Sequence, residues 1–185
     1  MPRKIVPTTS TDPYHVRARS HNRELFEVPI AEAWAIYEDY LFLLKNGFGV
    51  RIHSFVLMPN HFHMLATFPE GNLSPSMRYF MRETSREFSR GSGRINQSYG
   101  SRFGRSVIPT YHYFMNAYKY VYRNPVRAKL CTSVEEYPFS TLHSLCGFQK
   151  CAIPLEEDTL LFEPNFSSRT LIWLNQEPNP VLEEE

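Results

Sequence analysis

The stretch Val50 to Phe68, VRIHSFVLMPNHFHMLATF, holds two β-rich runs, Val50 to Met58 and His61 to Phe68, joined at Pro59-Asn60. Proline favours a tight turn there, so the runs are expected as antiparallel neighbours. His61 and His63 flank one apolar residue at the start of the second run, and alternate residues of a strand share a face. Two imidazoles placed that way can hold one metal ion. On its own, a His-x-His pair more often lines a sheet face or bonds core carbonyls.

Working outward, Tyr14 to Arg19 reads as a short strand, and Ile30 to Lys45 as a helix that ends before Asn46-Gly47. Ser74 to Arg90 reads as a second helix, with Met77, Met81, Thr84 and Phe88 as its buried stripe. Gly91 to Arg105 is a glycine- and arginine-rich loop, followed by a short strand at Ser106 to Ile108. Tyr111 to Arg123 returns to helix and meets an Asn-Pro break at Asn124-Pro125. The order strand, helix, hairpin, helix, strand, helix predicts an α+β fold, a ferredoxin-like βαββαβ sandwich with an antiparallel sheet. Beyond Tyr137 the periodicity fades. Residues 1 to 145 are therefore expected to form one folded domain and residues 146 to 185 an irregular C-terminal extension, its last ten residues disordered.

The net charge of +1 conceals two halves. Residues 1 to 130 hold 18 Lys and Arg against nine acids, whereas residues 131 to 185 hold two against ten. A basic front region suits a polyanion, and arginine can fork onto phosphates and stack on bases. Cys131, Cys146 and Cys151 lack metal-ligand spacing and read as reduced thiols. Neither a secretory signal nor a membrane-spanning run is evident. The expected location is the cytoplasm, at the nucleoid, with no membrane partner.

Metal and phenol together suggest phosphodiester chemistry. A divalent ion neutralises charge on a phosphoryl group, and a positioned phenolate can attack it in line. Two histidines need a further ligand, and Asn124 can offer an amide oxygen one helical turn beyond Tyr120, although Asn before Pro is also a good N-cap. A phenol titrates near pH ~10 unperturbed, so neighbouring cations such as Lys119, Arg123 and Arg127 would help. Spacing does not choose among Tyr111, Tyr113, Tyr118, Tyr120 and Tyr122, most of which are expected to pack. His15, His21, His53 and His112 are further imidazoles, none assigned to the metal. Arg78, Arg82, Arg86 and Arg90 line one helical face and, with Arg94, Arg102 and Arg105, are candidates for phosphate contact. The bland alternative is a solvated face paired with Glu83 and Glu87.

Four segments, YHVRARSHNRELF from Tyr14, LMPNHFHML from Leu57, YVYRNPVRAKL from Tyr120 and EYPFSTLHSL from Glu136, occur in the order found in one known group. Through them the sequence resembles the REP-associated tyrosine transposases, a branch of the His-hydrophobic-His single-strand transposases, over residues 13 to 145. The resemblance implies a ferredoxin-like fold, Tyr120 as nucleophile, His61 and His63 as metal ligands with Asn124 as the third, and Mg2+ or Mn2+ as the metal. It also implies a 5′-phosphotyrosine intermediate on single-stranded or hairpin DNA, handled by a monomer or homodimer. Arg17, Arg19 and Arg23 join the candidates for holding the backbone. Lys129 is a departure, since glycine is common there. Competing readings are a rolling-circle initiator or relaxase using Tyr118 and Tyr122, a domesticated hairpin-binding module, and a plain metal-dependent hydrolase.

Overall fold

A computed structural model describes residues 9 to 93, 97 to 150, 152 to 156 and 168 to 177. Arg94, Cys151 and the tail beyond residue 177 lie outside the described residues, and with them the expected disorder of residues 178 to 185. The elements run β1 (Tyr14–Arg19), α1 (Ile30–Phe48), β2 (Arg51–Met58), β3 (His61–Thr67), α2 (Leu73–Ser92), β4 (Gly104–Val107), α3 (Tyr111–Arg127), α4 (Leu142–Leu145) and α5 (Ser168–Asn175). The four strands form one antiparallel sheet in the order β2-β3-β1-β4. That is the ferredoxin-like βαββαβ arrangement expected from the sequence.

Alternation along the strands builds two cores. Val16, Ala18, Phe62, Met64 and Ala66 face α1 and α2, packing with Trp34, Tyr37, Leu41, Met77, Phe80 and Phe88. Burying each large apolar side chain contributes about 1.5–3 kcal/mol relative to exposure. On the reverse face Val56, Met58 and Leu65 pack against Phe114, Tyr118, Val121 and Tyr122 of α3. The sheet is thus sandwiched, with α3 on the histidine face.

Two features depart from the sequence reading. The Asn124-Pro125 pair does not end α3, which continues to Arg127 with Pro125 inside it. Proline brings no N–H to the Val121 carbonyl. The Asn124 side-chain amide donates instead, at 3.4 Å to Val121 O and 2.8 Å to Tyr120 O. The helix stops at Ala128, and Lys129 turns left-handed with φ of 59°. A glycine occupies that conformation without the Cβ clash, which explains why Lys129 is the unusual residue there.

Residues after α3, where the sequence periodicity fades, make ordered contacts with the sheet, and among the described residues of the extension Leu155 and Glu156 do so as well. Phe139, Thr141 and Glu156 bond the backbone of Leu57, Phe55 and Ile52, closing the outer edge of β2. Single bridges join Val56 to Ser140 and Ile52 to Leu155. Helix α5 packs on α3, with the Asn175 amide oxygen accepting from Val134 N at 3.0 Å.

Candidate active site

The Pro59-Asn60 turn starts β3 on the α3 side, so His61 and His63 emerge there with ring centroids 5.0 Å apart. The Tyr120 ring lies 5.7 Å from that of His63. Tyr120 is 38% exposed, so substrate can reach it. Arg127, seven residues on and therefore on the same face of α3, places its guanidinium 5.3 Å from the Tyr120 ring centroid. The Asn124 amide nitrogen is spent on its own helix, which leaves the oxygen as the end available to a cation.

A third imidazole joins the cluster. His15, on the α3 face of β1, sets Nε2 2.8 Å from His63 Nδ1, with the rings stacked at 5.0 Å and the Tyr120 ring 5.8 Å away. Sequence reasoning left His15 unassigned. Its only signal was its parity with Arg17 and Arg19 in YHVRAR, which places it on the histidine face once β1 pairs with β3. On the other side, His61 Nδ1 lies 2.7 Å from Asn60 Oδ1.

These imidazoles are neutral at pH 7. Burial, then the nearby Arg17 guanidinium, pushes His15 down to about 4. Burial, then Arg19, brings His61 to about 4. For His63 burial leads, followed by His15, His61, Arg17 and Arg19, to about 2. Neutral imidazole is the metal-binding form. Among the described residues no three His, Cys, Asp or Glu side chains are set to hold a metal. By donor chemistry, neutral imidazoles and an amide oxygen suit a divalent ion that also takes phosphate oxygens.

The candidate cations separate into three groups. Arg17 stands opposite His63 and Arg19 opposite His61 in the β1–β3 register, both exposed on the site face. Arg23 lies in the exposed loop after β1, and its carbonyl accepts from the Asn60 amide at 2.8 Å. Arg78, Arg82, Arg86 and Arg90 lie on the outer surface of α2, across the sheet from the histidines. Three of them pair with acids: Arg82 and Arg86 with Glu83, at 2.6 and 3.1 Å, and Arg90 with Glu87, at 2.6 Å. They are remote from the site, because α2 packs on the other face. Arg102 is exposed before β4, and Arg105 stands opposite Val16, off the histidine face.

Lys119 and Arg123 need correcting as aids to the phenolate or as DNA contacts. Both are buried, at 9% and 5% exposure, because α5 covers that side of α3. Arg123 donates to the carbonyls of Leu174 and Asn175, and the Lys119 ammonium sits 5.3 Å from the Trp173 ring centroid. Tyr118 and Tyr122 are also core residues, the Tyr122 hydroxyl lying 2.8 Å from Thr141 Oγ1. A two-tyrosine site built on them is closed to substrate.

A ferredoxin-like sheet that presents a His-x-His pair to a tyrosine on a separate helix is the layout expected of the His-hydrophobic-His single-strand transposases. Searched against protein-family models, the chain matches none. It is 32% identical over 100 residues to the REP-associated tyrosine transposase of Escherichia coli (strain K12), an alignment covering 54% of this chain and 59% of that protein. The chain therefore spans about three fifths of the curated relative's length. The solved structure of a REP-associated tyrosine transposase bound to a REP hairpin shares the fold, with TM-score 0.65 and 21% identity over 85% of this chain and 93% of that one. The resemblance read from the four motifs is borne out: the chain is similar in sequence to the one REP-associated tyrosine transposase and shares the fold of the other.

Proposed function

We propose that the chain is a divalent-metal-dependent single-stranded DNA endonuclease and strand transferase acting on REP-type hairpins. The observation that carries the proposal is exposed Tyr120 with its ring 5.7 Å from that of His63, which in turn lies 5.0 Å from His61. In the proposed step the Tyr120 oxygen attacks phosphorus, the P–O3′ bond breaks, the phenol proton passes to solvent and the departing 3′-oxygen gains one. The product is a 5′-phosphotyrosine that keeps one ester linkage, so an incoming 3′-hydroxyl can reverse the step without ATP. His61, His63 and Asn124 would hold Mg2+ or Mn2+, which when bound neutralises charge on the scissile phosphate. Arg17 and Arg19, beside the histidines, suit the flanking phosphates, and Arg127 orients the Tyr120 ring.

The test is incubation of the protein with single-stranded hairpin oligonucleotides and Mn2+, followed by denaturing electrophoresis. A covalent adduct lost in Tyr120→Phe is expected. Binding with no adduct overturns the enzymatic reading in favour of a hairpin-binding module. Cleavage without an adduct points to a hydrolase using water.

A further inference from the structure

A ligating imidazole must turn the nitrogen that carries its lone pair toward the ion. We propose that Asn60 and His15 are positioning residues that hold His61 and His63 in the Nδ1-protonated tautomer, which frees both Nε2 lone pairs for a divalent cation. The inference rests on the proposed metal site and goes beyond it.

For His61 the hydrogen bonds determine the tautomer. The Arg23 carbonyl can only accept, so the Asn60 group 2.8 Å from it is the amide NH2. That fixes the amide orientation and turns Oδ1 toward His61 Nδ1, 2.7 Å away. A carboxamide oxygen also only accepts, so Nδ1 carries the proton and neutral His61 has its lone pair on Nε2. Asn60 is itself held at both ends: its carbonyl accepts from Ser20 N at 2.8 Å, and the Pro59 carbonyl accepts from Phe26 N at 3.0 Å. Arg23 and its neighbour Asn22 are both left-handed, with φ of 60° and 52°. This uncommon backbone orients the Arg23 carbonyl that locks the amide.

For His63 the contact is the 2.8 Å approach of Nδ1 to His15 Nε2. One of these two nitrogens must donate. In the proposed arrangement His63 Nδ1–H donates and His15 Nε2 accepts. Ligating imidazoles are commonly oriented this way, through their other ring N–H. His15 is 8% exposed and packed against Tyr120, so its ring is held for the task.

Two readouts test this without recourse to activity. In the metal-free, 15N-labelled wild-type protein at neutral pH, two-bond 15N–1H correlations are expected to show protonated Nδ1 and bare Nε2 for both His61 and His63. Mn2+ affinity, read by EPR titration, is expected to fall about 10- to 100-fold in Asn60→Ala and in His15→Phe. It is expected to recover in His15→Gln, whose amide oxygen can still accept. A protonated Nε2 on either histidine overturns the inference, and so does wild-type affinity in both Asn60→Ala and His15→Phe. Wild-type protein that binds no Mn2+ overturns the metal reading itself, and this role with it. An intact DNA adduct alongside the wrong tautomer defeats the positioning role alone.

Discussion

Arg123 donates from Nη1 to the Leu174 carbonyl at 3.2 Å, which joins α3 to α5, the last helix among the described residues. Its Nη2 also approaches Glu177 at 3.5 Å. The guanidinium is a structural tie between α3 and α5, not a hand held out to DNA. Arg123→Ala is expected to cost about 1–3 kcal/mol, the range for losing buried hydrogen bonds to a charged group. Thermal unfolding should report this as a clear fall in Tm, while hairpin affinity of the folded protein stays within about twofold.

A contrast between faces distinguishes the arginines. Arg17→Ala is expected to weaken hairpin binding and to lower the slope of log K against log salt by about one. Arg86→Ala, on the far side of the sheet and paired with Glu83, is expected to leave both unchanged. Fluorescence anisotropy across a salt series measures each.

Tyr118→Phe and Tyr122→Phe remove hydroxyls from the second core. Tyr122→Phe loses its contact with Thr141 and should reduce stability by about 1 kcal/mol. Neither substitution is expected to abolish a DNA adduct, in contrast to Tyr120→Phe. Loss of the adduct in Tyr118→Phe, with folding intact, would revive the two-tyrosine reading.

Lys129→Gly is expected to stabilise the protein by up to about 1 kcal/mol, because glycine adopts φ of 59° without steric cost. Differential scanning calorimetry should show a Tm higher by a few degrees. An unchanged or lower Tm would mean that the lysine side chain compensates for its backbone.

The histidine cluster gives stability a pH dependence. Folded His15 and His61 hold off protonation until about pH 4 and His63 until about 2, against an ordinary value of 6.5 in the unfolded chain. As pH falls below 6.5 the unfolded chain takes up protons that the folded one refuses, so unfolding is favoured and stability is lost progressively toward pH 4. Tm of the metal-free protein should therefore drop between about pH 7 and pH 5. The drop should be shallower in a His15→Gln, His63→Gln double variant, where Arg17, Arg19 and His61 remain.

Most of the scaffold is legible in the chain. The alternation of β1, the hairpin at Pro59-Asn60 and the buried stripe of α2 specify elements whose only sensible packing is a two-sided sheet. Side choice is where local reading fails. Parity shows that His15, Arg17 and Arg19 share a face of β1, but only the register with β3 shows that it is the face of His61 and His63. Lys119 and Arg123 follow helical spacing faithfully, yet what covers them is α5, a short helix some 50 residues later with no strong periodicity of its own. The arginines of α2 are similarly readable as a ridge and unreadable as to layer.

Ribosomal synthesis meets the edge of β2 before it meets the residues that cover it. All four strands have been made by Val107, whereas the backbone groups that cap Ile52, Phe55 and Leu57 belong to Phe139, Thr141 and Glu156. In that interval a nascent chain presents unpaired amides and carbonyls on which a strand from another molecule can add. The segment with the least regular structure therefore sets how much newly made protein escapes edge-to-edge association.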